Sequence, residues 1–214
     1  MQLYSYFRSS ASYRVRIALN LKGIDHGVIP VNLVAGEQHT DNYRQRNPLG
    51  LVPALITGNS TITQSTAILE WLEERHPAPP LYPKDATQRA HVRARCQLIA
   101  CEIHPLNNLR VLKYLKSELE QEEDAVRRWY AHWVKKGFSA LETTLPGAGF
   151  VNGETPGMLE VFLVPQVYNA ERFNVPMESF PRIRALQARC HSLPAFQRAH
   201  PDAQPDAPAP SKAN

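Results

Sequence analysis

The first thirty-three residues restrict the chain more than any other stretch. Gln2–Phe7 is short, aromatic-rich and alternating, which is a strand pattern. Ser9, Ser10 and Ser12 then cluster ahead of an apolar run with helical spacing. Ala11, Val15, Ala18 and Leu19 form one stripe at i, i+4, i+7 and i+8, and Ile17 and Leu21 form a second. A helix apolar on two sides is wedged between two layers. Gly23 stops it, Asp25–Gly27 turns the chain, and Val28–Leu33 reads as a second strand. Strand, helix and strand within about thirty residues make a βαβ unit, with parallel pairing and a right-handed crossover. The junction at Arg8–Ser12 offers hydroxyls and free backbone N–H groups at the positive end of a buried helix. Such a place suits an anion, a thiolate included. A serine-rich cap without chemistry has the same pattern, so the residues by themselves leave both readings open.

Further along, Val34–Arg46 is polar and irregular, with a helical turn expected at Asp41–Arg46. Pro53 stands directly ahead of the apolar run Ala54–Ile56, where its missing N–H excludes a central ladder position. Spacing does not separate a cis bond from a trans one there. Thr57–Ser60 is a hairpin turn, Thr61–Thr63 the returning strand, and Gln64-Ser65 opens a helix with Ser65 expected at the N-cap.

The proline-rich run His76–Pro83 marks a linker, and the pattern after it is helical. Thr87–Leu115 reads as one long helical run with Ala90, Val92, Ala94, Leu98, Ile99 and Ile103 as core. Ala125–Leu145, Met158–Phe173 and Pro181–Leu193 follow. Pro201–Asn214, rich in Pro, Ala, Asp and Gln, reads as a disordered tail. The expected organisation is residues 1–78, a linker at 79–86, a helical domain at 87–200 and a tail at 201–214.

Composition narrows the function classes. Apolar residues make up 43% of the 214, ample for a core, and a mean hydropathy of −0.38 fits a soluble protein. No apolar run approaches the roughly 20 residues that span a bilayer, and the N-terminus lacks a signal-peptide pattern, so the expectation is a cytoplasmic protein with no membrane partner. The net charge is +4, with bases and acids interleaved and no basic block, which speaks against nucleic acid and favours steering of small anions. Cys96, Cys101 and Cys190 make no disulfide framework. Cys96 and Cys101 fall about 140° apart on a helix, so no metal is expected.

The segment R-S-S-x-S-x-R-V-R-I-A-L at Arg8–Leu19 resembles the N-terminal signature of zeta-class glutathione transferases, the group containing maleylacetoacetate and maleylpyruvate isomerases. The usual family form has Cys at the position of Ala11. Asn47–Leu55 is similar to the family's N-P-x-x-x-V-P-x-L, in which the proline is cis. Gln64-Ser65 matches its Q/E-S pair, and Glu102–Arg110 its D/E-I-H-P-x-N-N-x-R segment. The likeness runs over nearly the whole chain.

The resemblance implies the glutathione transferase fold: an α/β N-terminal thioredoxin-like βαβαββα domain plus an all-α C-terminal domain, paired as a two-fold homodimer. It implies glutathione as cofactor, with Arg8, Ser9 and Ser10 catalytic. The glutathione site it implies is Ser9, Ser10, Ala11, Gln38, Val52, Gln64, Ser65, Glu102, His104, Asn108 and Arg110. Arg8, Arg110 and Arg172 match positions proposed to hold the carboxylates of a small dicarboxylate or diketo-acid substrate.

On a regular helix His104 and Asn108 share a face while Arg110 points about 160° from Asn108, so for all three to line one cleft, as the resemblance implies, the helix must unwind or kink near Pro105. Gly157 and Glu160 stand where the family has Thr or Ser and Asp, and Thr155-Pro156 offers an alternative cap. Ser12 is expected to act mainly in capping. The activity implied is glutathione-dependent cis–trans isomerisation. The alternatives are a conjugating or dehalogenating transferase using the same thiolate, and a non-catalytic glutathione-fold binding protein.

Overall fold

The computed structural model describes residues 1–209. The chain divides into two compact units: residues 1–79 joined by the segment from His191 onward, and residues 80–190. The first unit runs β1 (Gln2–Ser5), α1 (Ser10–Leu21), β2 (Gly27–Pro30), α2 (Asp41–Arg44), β3 (Ala54–Thr57), β4 (Ser60–Thr63) and α3 (Ser65–Arg75). Its sheet has the order β2-β1-β3-β4, with β1 and β2 parallel and the other pairs antiparallel. The βαβ unit and the βαβαββα order match the expectation. β2 is shorter than expected, ending at Pro30.

Helix α1 is buried at Ser10 and continuously from Ser12 to Leu19. Its two apolar stripes therefore face two layers, as the pattern requires. At its C-terminal end Lys22 turns fully inward, its side chain 0% exposed, with the ammonium 2.7 Å from Glu73 and donating to the carbonyls of His76 and Pro79 at 2.7 and 3.0 Å. All three donors of the ammonium are thereby used.

The second unit holds α4 (Ala86–Gln97), α5 (Leu109–Ser117), α6 (Glu123–Thr144), α7 (Met158–Arg172) and α8 (Pro181–His191). The expected single run over 87–115 is broken. α4 passes into a π-helical stretch, Leu98–Ile103, then a turn, and α5 starts afresh at Leu109 with Asn108 as its cap. The core face is Val92, Cys96, Ile99 and Ile103, whereas Ala90 and Ala94 are exposed and Leu98 is half-buried. Alanine gains little from burial, so the larger side chains fix which face turns inward. α6 buries Val126, Tyr130, Val134, Phe138 and Leu141, and α7 is buried along most of its length.

The cap of α7 corrects another expectation. Gly157, not Thr155, is the N-cap, and the fully buried Glu160 accepts from the N–H of Gly157 at 2.9 Å and of Val151 at 2.7 Å. A Cβ on residue 157 would run into the Asn152 amide and stand 2.8 Å from the Leu81 carbonyl oxygen, so the close approach of the chain requires glycine. Burial raises the Glu160 carboxyl pKa above its ordinary value, and the main-chain N–H groups partly offset this.

The expected disordered tail is ordered through residue 209. α9 (Pro194–Ala199) buries Phe196 and Ala199 and packs against α1, with Asn20 Nδ2 donating to the Ala195 carbonyl at 3.0 Å. A 3₁₀ turn, Pro201–Ala203, follows. The buried Gln204 donates to the carbonyls of Arg198 and His200, both at 2.9 Å. The segment that composition assigned to the end of the helical domain and to the tail therefore belongs with the first unit, where apolar anchors hold it. The rest of the expected tail, residues 210–214, lies outside the described residues. Among the described residues no helix is long and apolar enough to cross a membrane.

Candidate active site

Sheet register gathers three of the sequence segments. The last β1–β3 pair is Tyr4 with Ala54, and Ala54 pairs on its other side with Thr63. The chain leaving β1 toward Ser9, the chain entering β3 from Val52 and the chain leaving β4 toward Gln64-Ser65 thus lie at one end of the sheet. Val52 also packs in one apolar cluster with Val31, Tyr43, Tyr4 and Tyr6.

Ser9 is the N-cap of α1, in extended conformation, and its Oγ accepts from the Ser12 N–H at 3.2 Å. A hydroxyl that accepts keeps its own hydrogen to donate. Capping thus belongs to Ser9. Ser12 contributes only its main-chain N–H, and its buried hydroxyl has no hydrogen-bond partner, which corrects the expectation of a capping side chain. Ser10 is buried, Ala11 half-buried, and Arg8 exposed beside them, its guanidinium donating to the Tyr6 hydroxyl at 3.2 Å and lying 4.9 Å from the Phe7 ring centroid.

The Val52–Pro53 bond is cis, as the resemblance implies, and Val52 stands outside the sheet ladder. The loop before it is pinned by residues the sequence reading missed. Tyr43 Oη and Asn47 Nδ2 both donate to the Leu51 carbonyl at 2.7 Å. Burial, then the neighbouring Tyr4, pushes the Tyr43 hydroxyl well above the ordinary tyrosine range, so it stays a donor. Gly50, at φ 61°, approaches Gln38 so closely that an added Cβ would lie 2.8 Å from the Gln38 carbonyl oxygen. Gln38 is therefore beside the Val52 loop. Its Oε1 is buried without a partner, which leaves an acceptor for a ligand amide or ammonium group.

Gln64 precedes α3 at φ 69° and ψ 117°, a conformation costly for a residue with a Cβ and one that clusters at functional sites. It is the N-cap, without a side-chain bond, and Ser65 is the first helical residue. The expected Ser65 cap is thereby corrected: the positive φ of Gln64 completes the turn one residue earlier. The buried Ser65 hydroxyl instead accepts from Nη1 of Arg14, a guanidinium only 2% exposed, at 3.3 Å. In the sequence Arg14 is only a letter in a motif. Its position inside the apolar span of α1 was the available signal.

In the helical unit the π-helical stretch leaves Glu102 exposed and His104 half-buried. The helix is interrupted where a kink was expected, the π-helical stretch ending at Ile103 and a turn following through Pro105. Asn108 caps α5, its Oδ1 accepting from the Arg110 N–H at 3.2 Å, and Arg110 is exposed. Its neighbour Asn107 is buried with both amide atoms lacking partners, a candidate that the reading passed over. Arg172, at the end of α7, is exposed and lies 4.7 Å over the ring of Phe173, which stacks on Tyr130.

These features can be set beside known proteins. Residues 3–80 match the family model described as glutathione S-transferase, N-terminal domain. A Pseudomonas aeruginosa protein named maleylacetoacetate isomerase is 46% identical over 212 residues, 98% of this chain and 100% of its own. The holo structure of a bacterial zeta-class maleyl pyruvate isomerase superposes with a TM-score of 0.94 at 45% identity, covering 97% of this chain and 100% of the other. The maleylacetoacetate isomerase of Methylobacterium extorquens AM1, solved with bound malonate and GSH, gives 0.93 at 35% identity, over 98% and 100% of the two chains. With such relatives covering nearly its whole length, and with the Ser9 helix cap, the cis proline and the Gln64-Ser65 turn at one end of its sheet, the chain belongs to the zeta-class glutathione transferases.

Proposed function

We propose that this enzyme is a glutathione-dependent cis–trans isomerase of maleylacetoacetate or maleylpyruvate. The observation that carries the reading is the convergence of Ser9, Val52 and Gln64-Ser65 at one end of the sheet, in a chain of this family. Glutathione, held by the residues named below, would supply a thiolate nucleophile for reversible addition to the cis double bond, the chemistry that cis–trans isomerisation needs. A free thiol near pKa 8.5 is mostly protonated at neutral pH. The Ser9 hydroxyl, still able to donate, and the first-turn N–H groups at Ser10 and Ala11 favour the ionised form through hydrogen bonding and the helix dipole. Val52 offers main-chain N–H and C=O groups to an extended peptide. Gln38, Gln64 and Ser65 hold its polar ends, with Ser65 suited to a carboxylate at the start of a helix. From the helical unit we assign Glu102, His104, Asn108 and Arg110 to glutathione. Arg8, Arg110 and Arg172 take the substrate's carboxylates, since guanidinium suits planar bidentate recognition.

We place the enzyme in the cytoplasm as a homodimer. Its three cysteines are free, and Val34, Leu49, Leu109, Tyr114 and Leu119 are large apolar side chains left more than half exposed, which a two-fold interface would cover. The deciding assay follows the ultraviolet absorbance of each cis-diketo acid with and without glutathione. Glutathione-dependent conversion to the trans acid supports the reading. Accumulation of a stable S-conjugate in its place would make the protein a conjugating transferase.

Two variants resolve the roles. Ser9→Gly removes the hydroxyl yet costs a cap only a few tenths of a kcal/mol, roughly. Turnover is expected to fall about tenfold to a hundredfold, with the bound thiol ionising at higher pH. Equal titration curves for variant and parent would remove Ser9 from the thiolate site. Ser65→Ala disturbs no cap, so calorimetry is expected to show about 1.5–3 kcal/mol of lost glutathione affinity, and an unchanged affinity would contradict the assignment.

A further inference from the structure

The loop that presents Ser9 is held from outside by the C-terminal segment. Phe7 donates its N–H to Oδ2 of Asp206 at 2.9 Å, across 199 residues of chain. The Phe7 carbonyl accepts from Arg16 Nη2 at 2.9 Å. The same guanidinium reaches Ser5 Oγ at 3.0 Å and the Tyr6 carbonyl at 3.4 Å through Nη1, and the Ala199 carbonyl at 3.0 Å through Nε. Arg16 is 1% exposed and stacks over Tyr13, whose ring meets His200 edge-on. The Tyr6 carbonyl in turn accepts the Ser9 N–H at 2.9 Å. An unbroken set of hydrogen bonds therefore runs from Ala199 and Asp206 to the main chain of Ser9, entirely within one compact unit.

Capping of α1 does not need this arrangement, because Ser9 meets the Ser12 N–H by itself. Nor does β1, whose ladder ends at Ser5. What the C-terminal contacts determine is the path of Tyr6 and Phe7, and hence where the Ser9 hydroxyl and the first-turn N–H groups aim. Misplacing a catalytic group by about 1 Å can cost about a hundredfold in rate.

We propose that the segment Ala199–Asp206 is a positioning element of the thiolate site. In it Asp206 directly, and Ala199 through Arg16, fix the Tyr6–Phe7 main chain that aims Ser9. This rests on the glutathione reading above, but its first test does not require it. In the ligand-free protein, amide hydrogen exchange at Phe7 is expected to quicken about tenfold or more in Asp206→Ala and to stay near the parent rate in Asp206→Asn, whose amide oxygen still accepts. Exchange in β3 should be the same in all three.

The second test uses added glutathione below the melting temperature. Asp206→Ala is expected to shift the bound thiol's titration upward by about half a unit or more and to lower kcat about three- to tenfold. The glutathione dissociation constant should stay within about twofold, and Asp206→Asn should restore both thiol and kcat. Loss of affinity in step with loss of kcat would mean a merely structural role and overturn the proposal, as would parent-like exchange and titration in Asp206→Ala. A parent enzyme that ionises no bound thiol would instead sink the functional reading and leave the exchange result to decide this one.

Discussion

Glu160→Ala is expected to destabilise the helical unit by about 3–5 kcal/mol. The carboxylate is fully buried and each oxygen serves one main-chain donor, Oε1 the Val151 N–H and Oε2 the Gly157 N–H. Alanine leaves both donors buried and unpaired, each costing about 1–3 kcal/mol, and adds a cavity at the start of α7. Glu160→Gln keeps one acceptor oxygen but turns an NH₂ toward the other donor, so about half the loss is expected. Burial raises this pKa above the ordinary carboxyl value, so folding favours the acid form relative to the unfolded chain. Between the ordinary and the folded pKa the native unit holds a proton that the unfolded chain has released. The residue's contribution therefore falls as pH rises through that window and is constant above it. Denaturant midpoints measured across the window should show this slope in the parent and its absence in Glu160→Gln. Midpoints that coincide at every pH would refute the account.

Arg16→Met is expected to cost the first unit about 3–5 kcal/mol and most of its turnover. The aliphatic stem is replaced well by methionine, so volume is nearly kept. What is lost is a guanidinium donating to three carbonyls and a serine hydroxyl at 2.9–3.4 Å, all in a buried setting. Those acceptors have no water to turn to. Arg16→Lys retains the charge, but a point ammonium does not span the fork, so a loss of about 2 kcal/mol or more is expected. Chemical denaturation of the two variants gives the check, and a midpoint unchanged in Arg16→Met would show that the oxygens are satisfied without it.

Much of this molecule was legible because its signals are local. The two stripes of α1, the turn at Gly23 and the hairpin at Gly58-Asn59 gave the βαβ unit and the antiparallel pair from periodicity and turn chemistry. What failed was non-local. Pro201–Ala209 has the composition of a chain that cannot bury a core of its own. It is ordered because α1 anchors Ala195 and Ala199 just before it, and because Phe7, 199 residues away, donates its N–H to Asp206 within it. The long run 87–115 misled for another reason. A π-helical insertion changes phase without changing residue type, so the break after Gln97 was not visible, while Ala90 and Ala94 were misplaced because alanine says little about which face turns inward. At the candidate site, motif letters singled out Ser9 and Ser65 but misread which residues cap the two helices. The capping residue was Ser9 rather than Ser12, and Gln64 rather than Ser65, because side-chain partners and a positive φ are not written in spacing. The residues that pin the site, Arg14, Tyr43 and Asn47, act through buried contacts that no pattern displays.

Lys22 has a use as a chemical probe. Its amine is sealed, fully covered and bonded to Glu73, His76 and Pro79, while most other lysines of the chain project into solvent. An acylating reagent that modifies free amines therefore passes over Lys22 for as long as the end of α1 stays closed against the stretch after α3. The acylated fraction at that one position counts the molecules in which this junction has opened. It does so at a residue that lies outside the proposed chemistry, so a ligand changes the count only by stabilising the folded unit. The fold carries its own built-in clock for the integrity of its N-terminal unit.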